Sequence, residues 1–327
     1  MPEVSQQVAQ PAPSRTPNCL VLSAADVTEA LASVDLTTAL EHALITSPSD
    51  DARRFRQLVA VDSGAFHIVG GTAQLSGAEL LGLKVNGRYD SGRMRGTMLL
   101  VDASTGALTG LMDSAELTAA RTAAMAAIAV RHLAPQPLSH ALLIGTGRLA
   151  RPIIRALRSS TDVRRIDVWG RDPLRAKSVA ADFDDVHVAH DLAPAARVIV
   201  TATSATAPVL KRVAPGTLVV AVGSDAPTKQ ELPAHLLAES AVVVDSLEQC
   251  LTHGELRSAV AAGLITADDV AGELADIIRA GRDPRSHPDQ PVVADLTGIA
   301  LQDVVAARTI CTEAHRRGLG TLIQLRA

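Results

Sequence analysis

Three places in the sequence carry residue types and spacings that could do chemistry. The run HALLIG leads into Gly145-Thr146-Gly147-Arg148-Leu149-Ala150 and then RPIIRALRSS. A glycine at 145 permits a tight turn, one at 147 lets backbone approach a pyrophosphate, and a helix N-terminus behind them attracts its charge. Taken alone, G-x-G-x-x-A fits a plain glycine-rich turn equally well. Its setting favours a dinucleotide: it follows an apolar strand run, opens a helical stretch and precedes four further strand runs. Asp225 follows TLVVAVG, at the strand end where open α/β sheets bind ligands; an Asx-turn within GSDAP is the plainer alternative. Arg121 sits early in a helical stretch whose neighbours are almost all Ala or Thr, which leaves room for an anion, although an ordinary helix charge reads equally from the sequence.

The second strand run, RRIDVW, bears on the cofactor. An NAD-specific chain usually places Asp or Glu at its end to bind the ribose hydroxyls; here Gly170 and Arg171 stand instead. A guanidinium suits the 2′-phosphate of NADP(H), with Arg175 or Arg148 assisting, because charge-assisted bidentate contacts favour Arg at phosphates. NADP(H) is the preferred cofactor, and NAD(H), with Asp172 on the ribose, is the alternative. Thr146, Leu149, Thr203 and Val222 complete the candidate cofactor contacts on this half of the chain.

These residues need elements to hold them. The stretches HALLIG, RRIDVW, RVIVTAT, TLVVAVG and AVVVDS are short apolar runs separated by helical segments, which implies a parallel sheet covered on both faces. Before Pro135 the texture differs. A short apolar run from Leu20 precedes two helices, with Ser23 and either Ser33 or Asp35 as N-caps. RQLVAVDSGAFHIVGG and LLGLKVNGRYDSGRMRGTMLLVDASTGALTGLMD then alternate β-prone runs with turn residues, as antiparallel hairpins do. SAELTAARTAAMAAIAVRHLA is strong helix material with Ser114 as its cap. GIALQDVVAARTICTEAHRRGLG reads as one amphipathic helix closed by Gly318. The fold expected is α/β: a flexible tail over 1–17, an α+β substrate-binding and dimerisation domain over 18–130 with 300–327, and a Rossmann-type NAD(P)-binding domain over 131–299.

Composition narrows the partners. With 327 residues, 47% of them apolar, and a net charge of −4, the chain can bury one large core or two modest ones. Without Lys/Arg blocks it lacks the basic face nucleic acid demands, and 2% aromatics leave little for base stacking. No apolar run approaches the roughly 20 residues of a membrane helix, and the opening MPEVSQQVAQPAPSRTP has no hydrophobic h-region, so a soluble, cytoplasmic protein is expected. Cys19, Cys250 and Cys311 are far apart and odd in number, which indicates neither a disulfide framework nor a metal site. Small molecules are the expected partners.

LGLKVNGRYD, LLVDASTGALTGLMDSAELTAARTAA, LIGTGRLA, AVGSDAPTKQEL and TGIALQD together resemble the ornithine cyclodeaminase/mu-crystallin family, in order and spacing, along almost the whole chain. The resemblance implies an NAD(P)-dependent oxidoreductase acting on the carbon–nitrogen bond of a small amino or imino acid, assembled as a homodimer through the first domain. It makes Asp225 the acid/base at the substrate nitrogen and Arg121 a clamp on the substrate carboxylate. Arg56 is its companion, placed by its spacing ahead of VGG and Lys84, with Arg53 and Arg54 close by. Lys84 would bind the carboxylate and polarise the imine, the alternative being a protective edge-strand lysine. Thr97 would add a substrate contact, and Gly298 and Asp295 would approach the nicotinamide end. The resemblance leaves three activities open: ketimine or imine reduction, ornithine or lysine cyclodeamination with recycled NAD, and an alanine-type dehydrogenase. A cofactor-binding protein without turnover is a fourth reading, disfavoured by the joint presence of Lys84, Arg121 and Asp225. Between Lys84 and Arg121 the segment GRYDSGRMRG is shorter than in the ornithine enzymes, so side-chain recognition is expected to differ.

Overall fold

A computed structural model describes residues 18–47, 54–75, 77–89, 94–192 and 196–325; the expected tail over 1–17 and residues 90–93 of the GRYDSGRMRG segment lie outside them. Two sheets divide these residues. The first contains β1 (Asn18–Leu22), β2 (Arg54–Val61), β3 (Gly64–Leu75), β4 (Ala78–Tyr89), β5 (Met94–Asp102), β6 (Leu108–Asp113) and β15 (Thr321–Gln324). Its order is β15-β1-β6-β5-β4-β3-β2, and the expected hairpins form an antiparallel meander from β2 to β6.

The second sheet contains β7 (His140–Ile144), β8 (Arg165–Trp169), β9 (Val186–Val188), β10 (Val198–Thr201), β11 (Leu218–Ala221), β12 (Ala241–Val244), β13 (Gly272–Glu273) and β14 (Val292–Asp295). Its order is β13-β12-β14-β11-β10-β7-β8-β9, and every pairing is parallel. Each of the five expected strand runs is present; β9, β13 and β14 are additional. The strands β10, β11, β12 and β14 are buried at every position, as both-face coverage requires. Strand order reverses between β7 and β10, which opens a crevice at their C-terminal ends.

The helices are α1 (Ala24–Leu31), α2 (Leu36–Thr46), α3 (Ala115–Leu133), α4 (Ala150–Ser160), α5 (Pro173–Ala180), α6 (Ala234–Ala238), α7 (Leu247–Cys250), α8 (Leu256–Ala261), α9 (Leu274–Ala280) and α10 (Ala300–Arg317). Ser23 caps α1 in a capping box with Asp26, Asp35 rather than Ser33 caps α2, and Gly318 closes α10 in the left-handed conformation. Ser114 stands at the N-cap of α3 but makes no cap bond; its hydroxyl donates instead to Asn86 Oδ1 at 2.5 Å.

Residues 121–130 of α3 are buried without a break. A helix buried all round belongs to a core, and α3 packs against α2, α4, α10, β5 and β11, so it ties the two sheets together. The α10 helix returns across β3, β4 and β5. No described helix is long and apolar enough to cross a membrane.

Candidate active site

The crevice at the β7/β10 switch widens into a cleft of about 970 Å³ that reaches between the two sheets. At one end stands the glycine turn. Gly145 has φ +132°, and a Cβ there would come within 2.4 Å of the Ala202 carbonyl oxygen. A Cβ on Gly147 would meet nothing within 4 Å, so the space before the α4 N-terminus is open to a ligand. This fits a pyrophosphate held by backbone N–H groups and the helix dipole. Gly170 allows Thr146 to pack, since a Cβ would lie 2.6 Å from its methyl group. Thr146, Arg148, Leu149, Gly170, Arg171, Thr203 and Val222 all line the cleft, as do Asp172 and Arg175.

Behind this wall Glu231 ties two strand ends together. It accepts from Thr201 Oγ1 at 2.8 Å, Thr203 N at 2.6 Å and Gly223 N at 2.8 Å. Burial pushes its pKa up, and these donors oppose that shift. Glu255 in turn accepts the backbone N–H groups of Glu231 and Leu232.

At the other end three cations converge from separate elements: Arg56 on β2, Lys84 on β4 and Arg121 on α3 all line the cleft. Asp303 on α10 lies beneath two of them, accepting from Lys84 Nζ at 2.6 Å and from Arg121 Nε at 3.0 Å. Arg121 Nη1 also donates to Gln302 Oε1 at 2.9 Å. Burial lowers the Lys84 pKa to about 8, with Asp303 holding it up and Arg121 and Arg56 pressing it down. Two neighbouring cations lower the Asp303 carboxyl against the upward push of burial. Gly298, at φ +86°, lets this cluster close, because a Cβ would sit 2.5 Å from Arg121 Nη1.

Asp225 lines the same cleft from the loop after β11. Its carboxylate pairs with Lys229, and its carbonyl accepts from Arg56 Nη2 at 3.0 Å. Arg56 Nη1 also donates to the Thr297 carbonyl at 3.4 Å, so one first-sheet arginine bridges to both second-sheet loops. The 297–298 backbone is held by Asp245, which accepts from Thr297 N, Thr297 Oγ1 and Gly298 N at 3.1, 3.0 and 2.6 Å.

The structure corrects two expectations. Thr97 is exposed and does not line the cleft. Lys84 pairs directly with Met98, so strand alternation puts Thr97 on the opposite sheet face. Asp295 is 1% exposed and turns away from the cleft to accept from Leu256 N at 2.9 Å; burial raises it to about 7. Of the three neighbouring arginines, Arg54 approaches Glu248 at 3.9 Å, and Arg53 lies outside the described residues. Asp303, Gln302, Lys229 and Asp245 were not singled out from the sequence, although Gln302-Asp303 interrupts an apolar run and Lys229 falls four residues after Asp225.

A dinucleotide turn facing a cationic floor and a carboxylate, on a Rossmann-type domain joined to an α+β domain, defines the class: an NAD(P)-dependent oxidoreductase. The chain belongs to the ornithine cyclodeaminase/mu-crystallin family, whose model matches residues 18–318. It is 32% identical over 265 residues to a Delta(1)-pyrroline-2-carboxylate reductase of Bacillus cereus, covering 76% of this chain and 82% of the relative. It is 31% identical over 263 residues to the iminosuccinate reductase of Paracoccus denitrificans, covering 76% and 81%. Its fold matches a dimeric archaeal alanine dehydrogenase with bound NAD at a TM-score of 0.86 and 29% identity, over 94% of this chain and all of the other.

Proposed function

We propose that the protein reduces the C=N bond of a small ketimine or imino acid, using NADPH in preference to NADH. The observation that carries this reading is the placement of Asp225 and three cations around one cleft with the glycine turn. Residues 18–130 with 300–327 form the substrate-binding domain in this reading, and 131–299 the cofactor domain. A dinucleotide held by the glycine turn, Arg171 and Thr203 would supply hydride chemistry at the substrate carbon. Arg121, Lys84 and Arg56 grip the substrate carboxylate, which fixes the imine carbon for attack. Asp225 manages the proton at the nitrogen. Two relatives are named for imine reduction, in keeping with this direction.

The NADPH preference is supported by the end of β8. Asp172 caps α5, accepting from Leu174 N at 2.9 Å, and lies 3.7 Å from Arg175 Nε. Asp172, Arg171 and Arg175 all line the cleft, and two guanidinium groups beside one carboxylate that already caps a helix favour a phosphate there. NADPH oxidation with a cyclic ketimine such as piperideine-2-carboxylate tests activity and cofactor together. Turnover favouring NADPH is expected, and Arg171→Ala is expected to raise KM for NADPH about 10- to 100-fold, the worth of one charged hydrogen bond, with KM for NADH unchanged. Absence of turnover with either cofactor would overturn the reductase reading, and ammonia release from ornithine or lysine with NAD would then be measured.

Lys84 gives the clamp a pH dependence. A lysine titrating at about 8 is charged at pH 7 and neutral at pH 9, and only the charged form attracts a carboxylate. The affinity for a non-reacting carboxylate ligand is expected to fall about 10- to 30-fold from pH 7 to pH 9.5, with the break near 8. A flat titration curve would remove Lys84 from the clamp.

The proposed assembly is a homodimer through the first sheet. Phe55, Leu58, Val59 and Val61 on the edge strand β2 are exposed in the single chain, and an apolar edge of this kind invites a partner. A solution mass of twice 34.0 kDa would bear this out; a monomer would refute it.

A further inference from the structure

Lys229 is 7% exposed, and the proposed reaction does not yet use it. Its ammonium makes two contacts, one with the Asp225 carboxylate and one with the Gly223 carbonyl at 3.0 Å. The loop is clamped around it: the Lys229 carbonyl accepts from Ser224 Oγ at 3.1 Å and from Arg257 Nη2 at 3.2 Å, and Lys229 N donates to Ala226 O at 3.0 Å. A buried ammonium is costly unless paired, and the partner here is the one carboxylate aimed at the cleft from this loop.

We infer that Lys229 is a positioning residue that aims the Asp225 carboxylate and holds it ionised until a substrate nitrogen arrives. This rests on the reading of Asp225 as the acid/base at that nitrogen. An adjacent ammonium favours the charged form of a carboxylate, so an incoming imine meets an anion and is retained protonated at nitrogen, the form most open to hydride. On reduction the carbon gains the hydride and the nitrogen keeps the proton it shares with Asp225. The C=N π pair becomes the amine lone pair, the amine leaves, and Asp225 is again an anion paired with Lys229. Other charged groups also face Asp225. Arg56 on β2 acts on it, and His253, after α7, feels it, while Arg257 on α8 reaches the Lys229 carbonyl. Lys229 is in direct ion-pair contact with the Asp225 carboxylate.

Two readouts separate this role from a merely structural clamp on the loop. The first needs no turnover: aspartate-labelled ¹³C NMR titration, with the Asp225 resonance assigned by its loss in Asp225→Asn. Asp225 is expected to titrate at least one unit higher in Lys229→Met than in the wild type, and Lys229→Arg to restore the wild-type value. The second is the pH profile of kcat at saturating imine, where bound carboxylate keeps Lys84 charged. Its alkaline limb, loss of the proton shared by Asp225 and substrate, is expected to move upward by about 1–3 units in Lys229→Met. If Lys229→Met does not fold, Lys229→Gln keeps a donor for the Gly223 carbonyl without the charge and reads the same shifts. An unmoved Asp225 titration overturns the inference, even if kcat falls. A wild type without imine turnover, with the NMR shift intact, overturns the catalytic reading and leaves the Lys229–Asp225 coupling established.

Discussion

Asp225→Asn is expected to lower kcat for imine reduction by about 10²- to 10⁴-fold, the usual worth of a positioned acid/base, while leaving dinucleotide affinity within about twofold. The substitution removes the anion paired with Lys229 but keeps the backbone contacts that hold the loop. Arg56 donates to the Asp225 carbonyl, a contact that a side-chain substitution keeps, so this bridge between the sheets survives. The asparagine oxygen still accepts from Lys229, and the glycine turn lies on a different loop, after β7. A fall in dinucleotide binding equal to the fall in kcat would mean that the loop had collapsed. Turnover within about tenfold of wild type would mean that another group, or water, handles the nitrogen proton. Steady-state kinetics and NADPH fluorescence titration on the same preparation separate these outcomes.

What the sequence made legible follows from how locally each feature is encoded. The runs HALLIG, RRIDVW and TLVVAVG are strands because short Val/Ile/Leu stretches between helices bury both faces, and no partner need be known to read them. By contrast β14 is four residues, VVAD, inserted between β11 and β12, and no local pattern announces a strand whose neighbours lie tens of residues away. Thr97 failed for a related reason. The face a strand residue takes depends on register, and Lys84 opposite Met98 is a long-range fact. Asp225 could be placed because strand ends at a switch point face ligands. The same argument applies to Asp245 at the end of β12, yet its oxygens are spent on Thr297 and Gly298. Position gave the candidates, and the hydrogen bonds show that Asp245 holds the scaffold while Asp225 lines the cleft.

Asp303 is the residue for which that distinction has the largest energetic consequence. Asp303→Asn is expected to destabilise the free protein by about 3–5 kcal/mol, the usual cost of removing one member of a buried ion pair, or on the order of 10 °C in melting temperature. The cost is high because Lys84 and Arg121 are 3% and 8% exposed; Arg121 would keep its charge, and Lys84 part of its own, with no anion beneath them. The asparagine would still accept one hydrogen bond but supply no charge. The second consequence is a shift in pH dependence. Asp303 holds the Lys84 pKa up against burial, so without it Lys84 titrates below about 8 and is partly neutral at pH 7. The alkaline loss of carboxylate affinity should therefore start in the neutral range, with kcat/KM at pH 7.5 lower by about 10- to 100-fold. These effects are linked through the ligand. Weaker binding to the folded state stabilises it less, so a fixed concentration of carboxylate ligand should raise the melting temperature of Asp303→Asn by less than that of the wild type. Equal ligand-induced shifts in the two proteins would mean that the carboxylate binds elsewhere, and the cationic floor would lose its assigned role.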